Sequence, residues 1–345
     1  MYNFAAGPAM MHPQVKQRLS QMLLDWQDSG MGITEVPHRS TLFRDFLRKV
    51  QNKVLATLGL TDDFEVLLLS GTTREHFSLI AQQFLNTQAL YVQTGHWSKW
   101  AANSALRYGS VQSCTLENCQ SLGRNFDYAY ACLNETIEGI QYVELPRLGL
   151  PWFVDATSEI FSRPIDFECI DLMLAGAQKN AGIAGLVIVI VRKSRLLQAR
   201  VTDPSFSYLE QYRAHNLYAT PPALAIAALD ATLDWIAQNG GIQAMHRQAK
   251  ERSALIYAGI DQSQGFYRNG VAPELRSVMN VPFSLAKAHL TELFLKQAQE
   301  RGLCNLKGHR SLGGIRASMY NAMPMQAAQD LADFMDAFFR EHNDS

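Results

Sequence analysis

The segment Leu172-Met173-Leu174-Ala175-Gly176-Ala177-Gln178-Lys179-Asn180-Ala181-Gly182 places one lysine among small residues, after an apolar strand-like run and before a glycine turn. Partial desolvation disfavours an ammonium ion, which makes such a lysine a candidate amine nucleophile for a Schiff base. An ordinary loop lysine fits the same segment equally well. A carboxylate ends the apolar run before it, in Trp152-Phe153-Val154-Asp155-Ala156-Thr157-Ser158. Ligands of open α/β sheets gather at the C-terminal ends of strands. An aspartate there suits pairing with a pyridinium nitrogen, so that pyridoxal phosphate (PLP) can act as an electron sink. A strand-end aspartate is a weak signal by itself; Asp155 followed by Lys179 on the next strand is a moderate one.

A phosphate needs donors. Ser70-Gly71-Thr72-Thr73-Arg74 lies where a strand passes into a helix, so free N–H groups and the helix dipole face an anion there and Arg74 adds a charged donor. A plain Ser/Thr helix cap reads the same way. Trp97, in Thr94-Gly95-His96-Trp97, offers a flat face for a cofactor ring, or a core tryptophan.

The elements that must carry these residues are short apolar runs at 66–69, 90–92, 152–154, 172–174 and 186–191, alternating with helix-patterned stretches. That alternation predicts an α/β fold whose mainly parallel sheet is buried between helices. The C-terminal part differs. A strand at 278–283, a helix at 286–301, short strands near Leu303 and Ile315, and a final helix at 326–342 predict a smaller α+β unit, with a polar tail at 341–345. A long helical region after Thr220-Pro221-Pro222, passing Asn239-Gly240-Gly241, connects the two. There Thr220 reads as an N-cap with proline at N1.

Composition sets the outer limits. With 345 residues, 47% hydrophobic and 18% charged, the chain has a globular composition that excludes disorder and suggests about two domains. The longest apolar run falls far short of the roughly 20 residues of a transmembrane helix, and the start MYNFAAGPAM has no basic n-region followed by an apolar stretch. Lys+Arg 31 against Asp+Glu 32 gives no global footprint for nucleic acid or an anionic membrane. Any anion must therefore be bound locally. Five cysteines, at 114, 119, 132, 169 and 304, include no CxxC pair; they read as structural thiols of a reducing cytoplasm, with no metal site.

A set of motifs then goes beyond these general readings. Asn3-Phe4 with Gly7-Pro8-Ala9-Met10, Glu35-Val36 with His38-Arg39, Asn134-Glu135-Thr136-Ile137 with Gly139, and Ser162-Arg163-Pro164-Ile165-Asp166 come first. Ala175-Gly176-Ala177-Gln178-Lys179-Asn180, Thr220-Pro221-Pro222, Met279-Asn280-Val281-Pro282-Phe283, Leu306-Lys307-Gly308-His309-Arg310 and Gly313-Gly314-Ile315-Arg316-Ala317-Ser318 follow. In this order, from residue 3 to 323, they resemble the phosphoserine aminotransferase family over essentially the whole chain.

The resemblance implies a fold-type I PLP enzyme, a homodimer with composite active sites, exchanging an amino group between phosphoserine and 2-oxoglutarate/glutamate in serine biosynthesis. The same recognition would extend to 4-phosphohydroxy-L-threonine of vitamin B6 biosynthesis. It divides the chain into an N-terminal segment lining the site (1–15), a large PLP-binding domain (16–239) and a small C-terminal domain (240–345). Lys179 would hold PLP and shuttle the proton, Asp155 would pair with the ring N–H, Trp97 would stack on the ring and Thr136 would bond its hydroxyl. Thr73, Arg74, Gln178 and, from the partner subunit, Thr220 would hold the cofactor phosphate. Arg316 would clamp the α-carboxylate, and His38, Arg39, Arg74, His309 and Arg310 would surround the substrate phosphate or distal carboxylate.

Three departures accompany the match. Gly71-Thr72-Thr73 replaces a run of glycines and Glu75 a small residue, Ala219 replaces an asparagine, and Ala5-Ala6 replaces a serine or threonine. Stiffer backbone and a lost amide donor predict weaker hold on the cofactor phosphate. The alternative they raise is a catalytically weakened paralogue that binds PLP or phosphorylated metabolites.

Overall fold

In the computed structural model, which describes residues 1–343, the strongest apolar segment lies one place in from an edge of a seven-stranded sheet. Numbered along the chain, the strands of this sheet are β1 (Phe64–Ser70), β2 (Gln88–Val92), β3 (Ser110–Cys114), β4 (Ala129–Cys132), β5 (Trp152–Asp155), β6 (Ile170–Gly176) and β7 (Leu186–Arg192). Their spatial order is β1-β7-β6-β5-β4-β2-β3. Only β7 pairs antiparallel with its neighbours; the pairs from β6 to β3 are parallel.

Strand residues point alternately to opposite faces, and both faces are covered. Leu68, Val154, Met173 and Ile188 pack into one core; Leu67, Phe153, Leu172 and Val189 pack into another. At ~1.5–3 kcal/mol for each fully buried large aliphatic side chain, this two-sided burial is what fixes the sheet. The strand edge of β1 that has no neighbour in the sheet is capped by side chains. Asn216 accepts the N–H of Leu68 at 2.6 Å and donates to its C=O at 2.9 Å, while Gln51 donates to Val66 C=O at 2.6 Å, as a further strand would.

A separate core gathers Phe4, Ile256, Tyr267, Phe283, Phe294, Ile315 and Phe334 around a three-stranded antiparallel sheet of Tyr267–Arg268, Asn280–Leu285 and Ile315–Ser318. The helix Gly241–Asp261 serves both regions, since Ile242 and Met245 pack with the first core and Ile256 and Ile260 with this one.

Several expected boundaries shift. The strand expected at 278–283 is Asn280–Leu285, because Ser277 Oγ accepts the N–H groups of Met279 and Asn280 and turns the chain first. The helix expected at 286–301 is a 3-10 turn, Ala288–Leu290, followed by Thr291–Glu300, since Ala286 N–H is still bonded to Phe266 C=O. The long connecting helix is two helices, Ala223–Gln238 and Gly241–Asp261, separated where Gly240 turns left-handed. Pro222, not Thr220, is the N-cap of the first of these helices, and Thr220 is exposed. At the C-terminus the final helix is Met325–His342, ending where expected and overlapping the expected polar tail at Glu341 and His342; residues 344 and 345 of that tail lie outside the described residues. No helix among the described residues is long and apolar enough to cross a membrane.

Candidate active site

The parallel strands all deliver their C-terminal ends to one edge of the sheet, where residues with polar side chains follow. Cys132 of β4 is in register with Asp155 of β5, and Asp155 with Leu174 of β6. Above this edge lies a cavity of about 470 Å³, lined by Gly71 to Arg74, Trp97, Thr136, Asp155, Thr157, Gln178, Lys179, His309 and Arg316 among others. The N-terminal segment closes one wall with Ala6, Gly7 and Pro8 and is tied down by Ala9 N–H donating to Gln178 C=O at 2.8 Å. Gly7 has φ of 147°, a conformation that suits glycine, and stands beside the stem of the lysine, where a Cβ would rest 3.6 Å from Lys179 Cε.

Lys179 is half-buried in the turn after β6. Asp155, at the end of β5, is 5% exposed; burial raises its pKa, opposed by hydrogen bonds from Thr157 and by the charge of Lys179. Thr157 N–H donates to Asp155 Oδ1 at 2.8 Å. The Thr157 hydroxyl accepts Gly176 N–H at 3.1 Å and lies 3.1 Å from Thr73 Oγ1. One threonine thus joins the aspartate, the lysine strand and the start of the helix Thr73–Phe84. Sequence reasoning passed over Thr157; the signal was the Asp-x-Thr spacing, in which an aspartate commonly accepts the N–H two residues on.

At that helix start, Thr72 N–H and Thr72 Oγ1 both donate to Glu75 Oε2, at 2.6 and 3.0 Å. The N–H groups of Thr73 and Arg74 meet no acceptor among the described residues. Arg74 is exposed, with its guanidinium 3.8 Å over the Trp100 ring.

On the opposite wall Trp97 Nε1–H donates to Thr136 Oγ1 at 3.0 Å, and Arg316 donates to Thr136 C=O at 3.1 Å. Arg316 is half-buried; desolvation lowers its pKa, opposed by Tyr320 and Glu138. The His309 ring lies 5.6 Å from that of His96, and its pKa falls through burial and then through Arg316, His96 and Arg310.

Lys179, Asp155, Thr73, Arg74, Trp97, Thr136, Gln178, His309 and Arg316 therefore meet in one cavity. His38, Arg39, Arg310 and Thr220 do not line it. Arg39, Arg310 and Thr220 are exposed, and the Nε2 of His38 is buried without a partner. Among the described residues no group of three or more His, Cys, Asp or Glu is arranged to hold a metal ion.

A family model described as Aminotransferase class-V matches residues 1–331. The chain is 39% identical to a phosphoserine aminotransferase of Acinetobacter baylyi over 99% of both chains. Among solved structures it resembles the phosphoserine aminotransferase of Bacillus circulans subsp. alkalophilus, with 36% identity, a TM-score of 0.95 and coverage of 99% and 98%. It also resembles a PLP-bound phosphoserine aminotransferase from Trichomonas vaginalis, with 32% identity, a TM-score of 0.91 and coverage of 97% and 99%.

Proposed function

The chain belongs to the aminotransferase class-V family, and on that premise we propose that it moves an amino group between O-phospho-L-serine and 2-oxoglutarate, using PLP and giving 3-phosphohydroxypyruvate and L-glutamate. The observation that carries this reading is the convergence of Lys179, Asp155, Trp97, Thr136 and Arg316 on one cavity.

The residues present fit the cofactor. The hydrogen bonds from Thr157 use only part of the acceptor capacity of Asp155, and a cationic ring nitrogen would relieve the burial that disfavours its charge. Thr136 Oγ1 accepts the indole N–H, which leaves its own hydrogen to donate to a ring hydroxyl. The open N–H groups of Thr73 and Arg74 suit a phosphate at a helix start, with Gln178 beside them. Bound PLP supplies the electron sink. The chain's own part is to hold that ring flat against Trp97, to keep its nitrogen protonated through Asp155, and to move a proton with the Lys179 amine.

Glu138 acts on Arg316 at a distance, but no carboxylate among the described residues pairs with it directly, so its desolvation is offset when a substrate carboxylate arrives in a bidentate pair. His309 and Arg74 stand on the remaining cavity wall for the distal phosphate or carboxylate. His38, Arg39, Arg310 and Thr220 do not line their own cavity, which supports a homodimer in which a neighbouring subunit completes the site. Five free cysteines support a reducing cytoplasm as the setting.

A coupled assay that follows glutamate formed from phosphoserine and 2-oxoglutarate tests the reading, with 4-phosphohydroxy-L-threonine and serine as comparison donors. Glutamate formation should require the phosphate on the donor. Purified protein with bound PLP that makes no glutamate would overturn the assignment.

A further inference from the structure

The helix His96–Ala105 carries Trp97 at its second position and begins after Gly95, which has no side chain to cap it. The first N–H groups of a helix need acceptors. Here they come from the hairpin of Asn134–Glu135 and Ile140–Gln141, far away in sequence. Glu138 Oε1 accepts His96 N–H at 3.0 Å, Glu135 Oε2 accepts Trp97 N–H at 2.8 Å, and Glu135 Oε1 accepts Ser98 N–H at 2.8 Å. Three successive donors are held by two carboxylates from another element. Between these glutamates in sequence, Thr136 holds the indole N–H through its hydroxyl and Arg316 through its carbonyl.

Gly95 makes the approach possible. A Cβ there would lie 2.7 Å from Glu135 Cγ and Cδ and from Glu138 Oε2, closer than atoms pack. The arrangement is also costly, because Glu135 is fully buried and burial raises the pKa of both carboxyls. A single Ser or Asp at the cap position would cost less but satisfy only one of these donors. What the two glutamates add is a rigid tie from the backbone of Trp97 to the strip that also holds its ring and Arg316.

We propose that Glu135 and Glu138 are positioning residues that set the Trp97 ring over the cofactor and lock that setting to the carboxylate grip of Arg316. This rests on the PLP reading above. Neither residue touches the cofactor; each acts through Trp97, Thr136 and Arg316.

The test compares wild-type holoenzyme with Glu135→Gln, Glu138→Gln and Ser98→Ala, reading the induced circular dichroism of bound PLP, the KM for 2-oxoglutarate and Tm. Ser98→Ala is the structural control. Its hydroxyl accepts Thr94 N–H and Gly95 N–H at 2.8 and 3.0 Å and also bonds the Glu135 carboxyl, so its loss weakens the same helix start while leaving all three backbone N–H bonds to the two glutamates in place. Glu135→Gln turns an acceptor toward one N–H into a donor. It should shrink the cofactor band and raise KM by about tenfold, the scale of one lost charge-assisted bond. Glu138→Gln keeps an acceptor for His96 N–H and should give the same changes more weakly. Ser98→Ala should lower Tm and leave band and KM as in wild type. If Glu135→Gln does not fold, Glu138→Gln carries the comparison. A wild-type cofactor band and KM in the folded glutamate variants, or equal changes in Ser98→Ala, would overturn the positioning role. Absence of any PLP band from the wild type would instead overturn the cofactor reading on which it stands.

Discussion

Lys179 sits where its backbone is fixed by the turn after β6 and its stem is walled by Gly7, so its amine reaches the cavity from a rigid base. Lys179→Ala should abolish transamination while leaving the protein folded, and borohydride reduction should no longer attach PLP to the chain. Attachment that persists would assign the lysine role elsewhere. Arg316 depends on geometry as much as on charge, because a guanidinium makes two parallel bonds to a carboxylate and an ammonium makes a point contact. Arg316→Lys should raise the KM for both phosphoserine and 2-oxoglutarate by at least tenfold, the scale of one charge-assisted bond. Arg39→Ala should instead affect phosphoserine more than an unphosphorylated donor. Equal losses for both donors in steady-state kinetics would remove Arg39 from the phosphate end. The residues legible in the sequence were those at strand ends, such as Asp155 and Lys179, whose positions follow from the apolar runs before them. Thr157, Glu135 and Glu138 were not legible as site residues, because their partners are backbone N–H groups or side chains on other elements.

At the scale of elements, strands buried on both faces announce themselves by unbroken apolar runs, and all five expected in the central sheet are present. The strands missed were β3, a polar edge strand of sequence Ser-Val-Gln-Ser-Cys, and β4, only four residues long. Each owes its state to a neighbour rather than to its own pattern. The start of the helix Thr73–Phe84 shows the same dependence on context. Its threonines do not leave every donor open, because Thr72 N–H is taken by Glu75, leaving those of Thr73 and Arg74 for a phosphate. Ala219 brings no side-chain amide, where an asparagine would add a donor to the cradle of the neighbouring subunit in the proposed dimer. A hydrogen bond to a charged group contributes ~1.5–3 kcal/mol, so Ala219→Asn should tighten PLP binding by about tenfold or more, with little change in turnover at saturating cofactor. Titration of apoenzyme with PLP measures this. Unchanged affinity would mean that the threonine hydroxyls or a water already fill the role.

The whole molecule presents a contrast between its two His-Arg pairs that a single chain does not explain. Of one pair, His309 lines its own cavity beside Arg316 while Arg310 does not; of the other, both His38 and Arg39 stand outside it, together with Thr220. Outside that cavity, residues typed for anion binding have no part in its chemistry. The proposed two-fold dimer would resolve this, because an isologous interface would carry the same segment of each subunit to the opposite cavity. In that arrangement Lys179 of one chain works with Arg39 of the other, and damage to the two residues becomes separable. Lys179→Ala and Arg39→Ala homodimers should both be impaired, the first completely. Mixed dimers would have one site carrying both substitutions and one site carrying neither. Unfolding and refolding an equal mixture should produce mixed dimers as half of the population, each with one intact site, and so restore about a quarter of wild-type activity. Activity in the mixture no greater than the average of the two parents, with dimers present on sedimentation, would place both residues in the site of a single chain. Full activity in a sedimenting monomer would remove the partner from the site altogether.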